Sequence, residues 1–130
     1  MATIYKEIIV DASVEHVWDA MRDVGALHTR LVPGFVTDTR LEGDARVVTF
    51  ANGMVVTEPI VSVDDTRRRL VWTLKGGVNT THYNAVLEAQ AEGDKTRVRW
   101  TTDLLPHEMA EQIGQMQDQA LAAMKRALSK

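Results

Sequence analysis

The sequence contains no cysteine, no long apolar segment and no excess of positive charge. The absence of cysteine excludes disulfide bonds, thiolate catalysis and cysteine-ligated zinc sites. The formal net charge is −3, from 15 basic and 18 acidic residues. A chain without a basic surplus lacks the electrostatic basis for binding a phosphate backbone, so we expect no nucleic-acid partner.

The apolar run nearest the N-terminus is short and carries charges. Lys6 and Glu7 interrupt residues 4–10, which is typical of neither a signal peptide nor a membrane span. We therefore expect a cytoplasmic protein without a membrane span, as a monomer or a homodimer. Hydrophobic residues make up 45% of the chain and charged residues 25%, so we expect residues 1–130 to form one globular domain.

Two further absences concern metals and cofactors. The histidines are His16, His28, His82 and His107, and no two of them have the four-residue spacing that places metal ligands on one helix face. The glycine pair at residues 76–77 precedes no predicted helix and lacks the lysine of a phosphate-binding loop. We therefore expect neither a metal nor a cofactor.

The order of hydrophobic periodicities predicts the secondary structure. Residues 4–10 are β-branched and predict a strand, residues 13–21 predict an amphipathic helix, and residues 26–31 predict one further helical turn. From residue 35 onward, short extended runs alternate with turn residues, which predicts an antiparallel meander. Its six strands are predicted at residues 35–41, 46–51, 54–63, 69–74, 80–89 and 96–103.

The turn at Asn52-Gly53 and the final segment give the clearest local signals. This dipeptide tolerates positive φ at both positions, so we predict a two-residue hairpin turn. Residues 106–128 form the longest periodic segment and predict a helix. Its apolar arc consists of Met109, Ile113, Met116, Ala120, Met124 and Ala127. A long helix beside seven antiparallel strands predicts an α+β fold in the order β-α-α-β6-α, with a curved sheet wrapped around the helix.

Alternation along the strands predicts which side chains point inward. The inner walls are predicted to consist of Leu70, Trp72, Leu74, Tyr83, Ala85, Leu87, Ala89, Val98, Trp100 and Thr102. Residues 54–63 are ambiguous, because parity groups Val55, Val61 and Val63 as the apolar set and leaves Glu58 on the opposite set. We consider Pro59 a candidate for a bulge that resets this alternation.

Short motifs occur in a characteristic order along nearly the whole chain. They are Val17-Trp18, Pro33-Gly34, Gly53, Thr57-Glu58, Val63-Asp64-Asp65, Leu70-Val71-Trp72, Tyr83 and the Thr-Arg-Val-Arg-Trp sequence at residues 96–100. In this order the chain resembles the START-like, or SRPBCC, superfamily, most closely its polyketide cyclase/dehydrase and lipid-transport branch. One departure is the turn at residues 43–46, which is shorter than the glycine-bearing turn usual there.

The resemblance implies a helix-grip fold with a cavity between the sheet and the C-terminal helix that holds apolar small molecules. It also implies that Glu58 faces this cavity. Members of the superfamily include aromatase/cyclases, lipid carriers, hormone receptors and activators of chaperone ATPases, so the fold alone does not select an activity. We expect an apolar cavity of roughly 300–1,000 Å³, the range typical of ligand pockets.

Glu58 has two interpretations, and the sequence leaves both open. It is our candidate catalytic residue, because desolvation beneath an apolar roof raises the pKa of a carboxyl group and makes it usable as a general acid or base. In the alternative, Glu58 pairs with Arg46 on the adjacent strand and stays ionised.

The predicted ligand-binding residues combine the inward strand positions with the apolar arc of the final helix. They are Glu58, Trp72, Leu74, Tyr83, Ala85, Trp100, Thr102, Met109, Ile113, Met116, Gln117 and Ala120. Core packing is an equal explanation for Trp72 and the favoured one for Trp100. Three functions fit this set: binding or transport of a small hydrophobic lipid or polyketide-like ligand, an aromatase/cyclase or dehydratase-like enzyme using Glu58, and a protein-interaction module.

Overall fold

The computed structural model describes residues 2–129. In chain order the elements are β1 (Ala2–Val10), α1 (Val14–Arg22), a π-helical turn (Leu27–Leu31), β2 (Val36–Glu42), β3 (Ala45–Phe50), β4 (Val55–Asp64), β5 (Arg69–Thr73), β6 (His82–Glu92), β7 (Lys95–Leu105), a 3₁₀ turn (His107–Met109) and α2 (Ala110–Leu128). The predicted order of elements and the α+β fold class are confirmed.

The strands form one curved sheet in the spatial order β1-β7-β6-β5-β4-β3-β2, and every neighbouring pair is antiparallel. Strands β2 to β7 follow one another as hairpins, whereas β1 pairs with β7 and forms the edge opposite β2. The edges of the sheet are therefore β1 and β2. Helix α2 packs on the sheet nearest β1, and the main core lies between the sheet, α1 and α2.

Helix α1 is fixed at both ends by polar contacts. Ser13 caps its N-terminus by accepting a hydrogen bond from the backbone N–H of His16 (3.2 Å). Asp65, in the turn between β4 and β5, accepts hydrogen bonds from the indole N–H of Trp18 (2.9 Å) and from Nε of Arg22 (2.8 Å). These bonds tie the helix to the sheet across a long sequence separation.

The hairpin between β3 and β4 forms as predicted, but its turn is different. The predicted two-residue turn is wrong, because the N–H of Phe50 bonds to the carbonyl of Met54 (2.8 Å) across a three-residue loop. Of Asn52 and Gly53, only Gly53 has a positive φ, at +88°. The Asn52 side chain instead accepts a hydrogen bond from the N–H of Met54 (3.0 Å), so the asparagine contributes through its side chain rather than through left-handed backbone.

Strand β4 is irregular two residues later than predicted. Pro59 pairs in regular register with Ala45, and its missing N–H interrupts nothing because the next residue, Ile60, donates to the carbonyl of Asp44 (2.8 Å). The register shift lies instead between Ile60 and Ser62, and the intervening Val61 is exposed. The predicted bulge at Pro59 is therefore wrong.

Helix α2 begins later than the sequence pattern suggests. The segment after Pro106 forms a 3₁₀ turn, and the α-helix runs from Ala110 to Leu128, a length of about 28 Å at 1.5 Å per residue. Ala127 was expected in the buried arc but is exposed. In the last turn Leu128 reaches the core, and the single methyl group of Ala127 does not.

The loop between β5 and β6 lies against the start of β4. The N–H of Lys75 donates to the carbonyl of Thr57 (2.8 Å). Gly76 and Gly77 both have positive φ, at +82° and +92°. A Cβ atom on Gly77 would lie 2.4 Å from the carbonyl oxygen of Val55, whereas one on Gly76 would meet nothing within 4 Å. The close approach of this loop to β4 therefore depends on glycine at position 77.

None of the helices among residues 2–129 is long and apolar enough to cross a membrane.

The glycine pair gives a matched test of this packing. Gly76→Ala should cost about 1–2 kcal/mol, because an L-residue is strained at positive φ. Gly77→Ala should cost a further ~1–3 kcal/mol, because its methyl group also displaces β4. Urea denaturation of both variants measures the difference, and equal losses of stability would contradict the close approach.

The contact between Asp65 and α1 predicts a response to acid. The hydrogen bond from Arg22, supported by that from Trp18, holds the pKa of Asp65 below its usual 3.8. A carboxylate with a depressed pKa in the folded state stabilises the protein above its unfolded pKa, and that contribution disappears as the pH falls through the folded value. Asp65→Asn should therefore be less stable than the unmodified protein at about pH 7, and the gap should narrow at about pH 3.

The matched control is Asp94→Asn, a change in the exposed turn between β6 and β7. Because Asp94 is exposed, Asp94→Asn should change the urea midpoint little at either pH. Urea midpoints for the three proteins at both pH values test this, and an Asp65→Asn gap that does not narrow in acid would show that the pKa argument is wrong.

Candidate functional site: a cavity between the sheet and α2

A cavity of about 90 Å³ lies between the inner face of the sheet and α2. This is well below the 300–1,000 Å³ expected from the sequence. The reason is that large side chains occupy much of the space, since the rings of Trp72 and Trp100 meet inside it with their centroids 5.8 Å apart. The wall is predominantly apolar, as expected for a ligand pocket.

Most of the predicted ligand-binding residues lie in the cavity wall. They are Glu58, Trp72, Leu74, Tyr83, Trp100, Ile113, Met116, Gln117 and Ala120. Ala85, Thr102 and Met109 lie outside it. Ala85 is fully buried in the core, Thr102 lies behind Gln117 and hydrogen-bonds to it, and Met109 packs against a separate cluster around Ile4. Ligand binding by any of these residues stays a prediction.

The sequence analysis did not assign the part of the wall that comes from the chain between α1 and β4. These residues are Leu27, Leu31, Val32, Phe35, Val36, Arg46, Val48, Phe50, Met54 and Val56. The four-residue spacing of Leu27 and Leu31 in the predicted helical turn was a usable signal. Alternation along β3 would also have placed Arg46 and Val48 on one face.

Arg46 and Glu58 form a buried ion pair in the cavity wall. They occupy paired positions on β3 and β4, so their side chains leave the sheet on the same face. Nε of Arg46 donates to Oε1 of Glu58 at 2.7 Å, and the two residues are only 2% and 8% exposed. Arg46 also donates a longer bond to the carbonyl of Val24 (3.4 Å), and its guanidinium lies 5.1 Å from the ring centroid of Trp72.

This arrangement bears on both interpretations of Glu58. Its side chain faces the cavity, and it pairs with Arg46, as the alternative required. Isolated ions are expensive to bury, so each charge depends on the other. A catalytic role for Glu58 stays a prediction.

A second group of polar side chains lies on β6, β7 and α2, in or behind the cavity wall. Nε2 of Gln117 donates to Oγ1 of Thr102 at 2.9 Å, and both residues are buried. Burial raises the pKa of the Tyr83 hydroxyl far above its usual 10.0, and the negative charge of Glu58 acts in the same direction. Tyr83 is therefore a neutral phenol in this site.

Three polar atoms on the cavity-lining residues have no hydrogen-bond partner among residues 2–129. They are Nε1 of Trp72, Nε1 of Trp100 and Oε1 of Gln117. Leaving a buried donor or acceptor unpaired costs about 1–3 kcal/mol, so native proteins keep few such atoms. Two unused donors and one unused acceptor thus belong to residues that line one cavity.

Five lining residues of the loops and strand ends are half-buried, and we take them as the rim where the cavity meets solvent. Phe35 and Phe50 pack edge to face there, with ring centroids 5.4 Å apart. Met54, Leu74 and Val78 complete this rim. Val78 follows the glycine pair, so the loop between β5 and β6 forms one lip of the opening.

Within residues 2–129, no three histidine or acidic side chains come together as a candidate metal site.

The buried ion pair predicts a non-additive effect on stability. Arg46→Met or Glu58→Leu alone should cost about 3–5 kcal/mol, because each leaves one buried charge without a partner. The double variant should recover most of this loss, because it removes both charges together. Urea denaturation gives the coupling energy of the double-mutant cycle.

The exposed pair of Arg40 and Glu42, 2.6 Å apart, is the control. The same replacements, Arg40→Met and Glu42→Leu, should each cost no more than about 1 kcal/mol. Additive losses at Arg46 and Glu58 would show that the two charges do not depend on each other.

Residues 1–129 match the model of the family described as polyketide cyclase/dehydrase and lipid transport. No protein with a curated description matches the sequence. A solved structure from Thermobifida fusca is 27% identical, with coverage of 98% of this chain and 91% of that chain and a TM-score of 0.78.

Two further solved structures share the fold at lower identity. A START superfamily protein from Mycobacterium smegmatis is 14% identical, with coverage of 97% and 96% of the two chains and a TM-score of 0.79. Norcoclaurine synthase from Thalictrum flavum, solved with dopamine and hydroxybenzaldehyde, is 23% identical, with coverage of 98% and 83% and a TM-score of 0.73. The family and the fold together support a hydrophobic ligand-binding role. The chain belongs to the polyketide cyclase/dehydrase and lipid-transport family.

Proposed function

We propose that this protein binds a small hydrophobic molecule, lipid-like or polyketide-like, in the cavity between the sheet and α2, and thereby carries or senses it. The observation that carries the proposal is an apolar cavity whose lining residues keep unpaired buried polar atoms. Apolar walls supply affinity through the area they remove from water, and a few polar atoms orient the ligand. Membership of a family that includes lipid transport supports the same function.

The size of the cavity sets a condition on binding. An apolar cavity of about 150 Å³ admits benzene, so a cavity of about 90 Å³ must widen for a ring-sized ligand. Met54, Met116 and Met124 line it, and methionine side chains adapt readily to different apolar shapes. Norcoclaurine synthase, with the same fold, holds aromatic compounds, which is compatible with a ligand of this kind.

The ion pair limits the ways in which Glu58 could move a proton. Oε1 of Glu58 already accepts a 2.7 Å bond from Arg46, so a proton from a substrate would have to reach Oε2. Tyr83 is held protonated by burial. The cyclase or dehydratase alternative would require turnover of a polyketide-like substrate that is lost in Glu58→Gln.

The protein-interaction alternative has less support. The strongly exposed apolar side chains are Tyr5, Leu41, Val55, Val61 and Val63, and they are spread over β1, β2 and β4. This alternative requires one exposed apolar patch larger than about 400 Å².

A pair of substitutions on α2 tests the proposed site. Ala120 lines the cavity, and Ala122 on the same helix is exposed. Toluene should bind the unmodified protein and Ala122→Leu equally, with the negative heat-capacity change of apolar burial. Ala120→Leu should weaken binding about tenfold or more, because overpacking costs about 1–3 kcal/mol.

Ligand-observed NMR and calorimetry on the three proteins provide the measurement. Equal binding by Ala120→Leu and Ala122→Leu would place the ligand elsewhere. If neither toluene nor a polar ring compound of similar size binds the unmodified protein, the proposed function is wrong.

A further inference from the structure

We infer that the ligand is an uncharged molecule that carries a hydrogen-bonding oxygen, such as a ketone, a phenol or a hydroxyketone, and not a carboxylate or a phosphate ester. The inference rests on the proposed ligand-binding function and concerns its specificity. Two independent observations carry it: the balance of charge in the cavity wall, and the inventory of unused hydrogen-bonding atoms.

The charges in the cavity wall already cancel. Arg46 and Glu58 are the charged residues of the lining, and they neutralise each other at 2.7 Å. A carboxylate entering the cavity would leave water without gaining an unpaired cation, and it would approach the carboxylate of Glu58. An ammonium group would likewise bring an uncompensated charge close to Arg46. A neutral ligand avoids both penalties.

The unpaired atoms specify what kind of neutral ligand fits. The indole N–H groups of Trp72 and Trp100 are donors without acceptors, and Oε1 of Gln117 is an acceptor without a donor. A carbonyl oxygen satisfies an indole N–H, and a hydroxyl group satisfies the amide oxygen. A pure hydrocarbon ligand would leave all three atoms unpaired. A ligand of the same shape with a carbonyl or hydroxyl group would pair at least one of them.

Other charged groups of the molecule do not alter this balance. Arg97 and Arg99 lie on β7 at positions of opposite parity to Trp100 and pair with Glu7 and Glu92. Lys6, which lies beside α2, pairs with Asp118. These three cations are therefore engaged with carboxylates outside the cavity, and Lys75, which is exposed in the loop between β5 and β6, does not line it.

Three ring compounds of similar size separate the possibilities. Toluene has no hydrogen-bonding group, acetophenone has a neutral carbonyl, and benzoate has a charged carboxylate. Acetophenone should bind the unmodified protein about tenfold more tightly than toluene, since one hydrogen bond in a buried site contributes about that factor. Benzoate should bind at least about tenfold more weakly than acetophenone. Calorimetric titration gives the three dissociation constants.

Glu58→Gln should reverse the preference for neutral ligands. The substitution leaves the guanidinium of Arg46 without its carboxylate partner, so a ligand carboxylate can take that place. Benzoate should then bind about tenfold more tightly than acetophenone. Glu42→Gln, at the exposed pair with Arg40, is the matched control and should keep the order of the unmodified protein.

If Glu58→Gln does not fold, the double variant Arg46→Met/Glu58→Leu replaces it, because it removes both charges. This variant should still discriminate against benzoate, since it contains no cation to receive the carboxylate. Benzoate binding as tightly as acetophenone, in the unmodified protein or in this variant, would overturn the inference and leave the proposed function intact. Failure of all three compounds to bind the unmodified protein would overturn the proposed function and this inference with it.

Discussion

The ion pair of Arg46 and Glu58 is the interaction on which the register of the cavity wall and the polar character of the cavity depend. Two residues opposite each other on neighbouring strands send opposite charges into an apolar interior, where neither charge is stable alone. The guanidinium lies beside the Trp72 ring and also reaches the carbonyl of Val24, in the segment that follows α1. One side chain thus connects three parts of the molecule: the hairpin of β3 and β4, the central strand β5, and the segment between α1 and the π-helical turn.

Buried ion pairs of this kind are often no more stabilising than apolar side chains of the same volume. What they supply here is a fixed arrangement. A one-residue slip of β4 against β3 would separate the pair and send Glu58 to the opposite face, so the pair strongly disfavours any other register. The same arrangement gives the cavity polar groups at defined positions while keeping its net charge at zero.

The sequence predicted the parts of this structure that have a regular period. Alternation placed Trp72, Tyr83 and Trp100 on the inner face, and the helical period placed Ile113 and Gln117 toward the sheet. It could not predict where alternation fails, because the register shift after Ile60 follows from pairing with β5 rather than from local residue type. The lining contributed by Val78 was missed because loops have no period to read, and Phe35, predicted to begin a strand, lies in the turn just before β2.

In the candidate site, too, periodicity predicted some features, and contacts between strands determined the others. Inward-facing residues were largely identified, but the state of Glu58 depended on a partner from another strand, and parity within one strand carries no information about partners. Its orientation came from the family resemblance, whereas its contact with Arg46 required the register of the hairpin. The cavity volume was overestimated because it depends on how side chains such as Trp72 and Trp100 fill the space, which residue type alone does not give.

The position of β2 at the edge of the sheet has a consequence for association between molecules. An edge strand exposes unpaired backbone groups on which the strand of another chain can add, a common route to aggregation. Here Asp38, Arg40 and Glu42 stand exposed at alternate positions, and the pairing with β3 is already irregular next to Asp38. A strand added from another chain would have to remove water from three charged side chains and pair with an irregular strand. The β2 edge of the sheet therefore resists strand addition and the aggregation that it leads to.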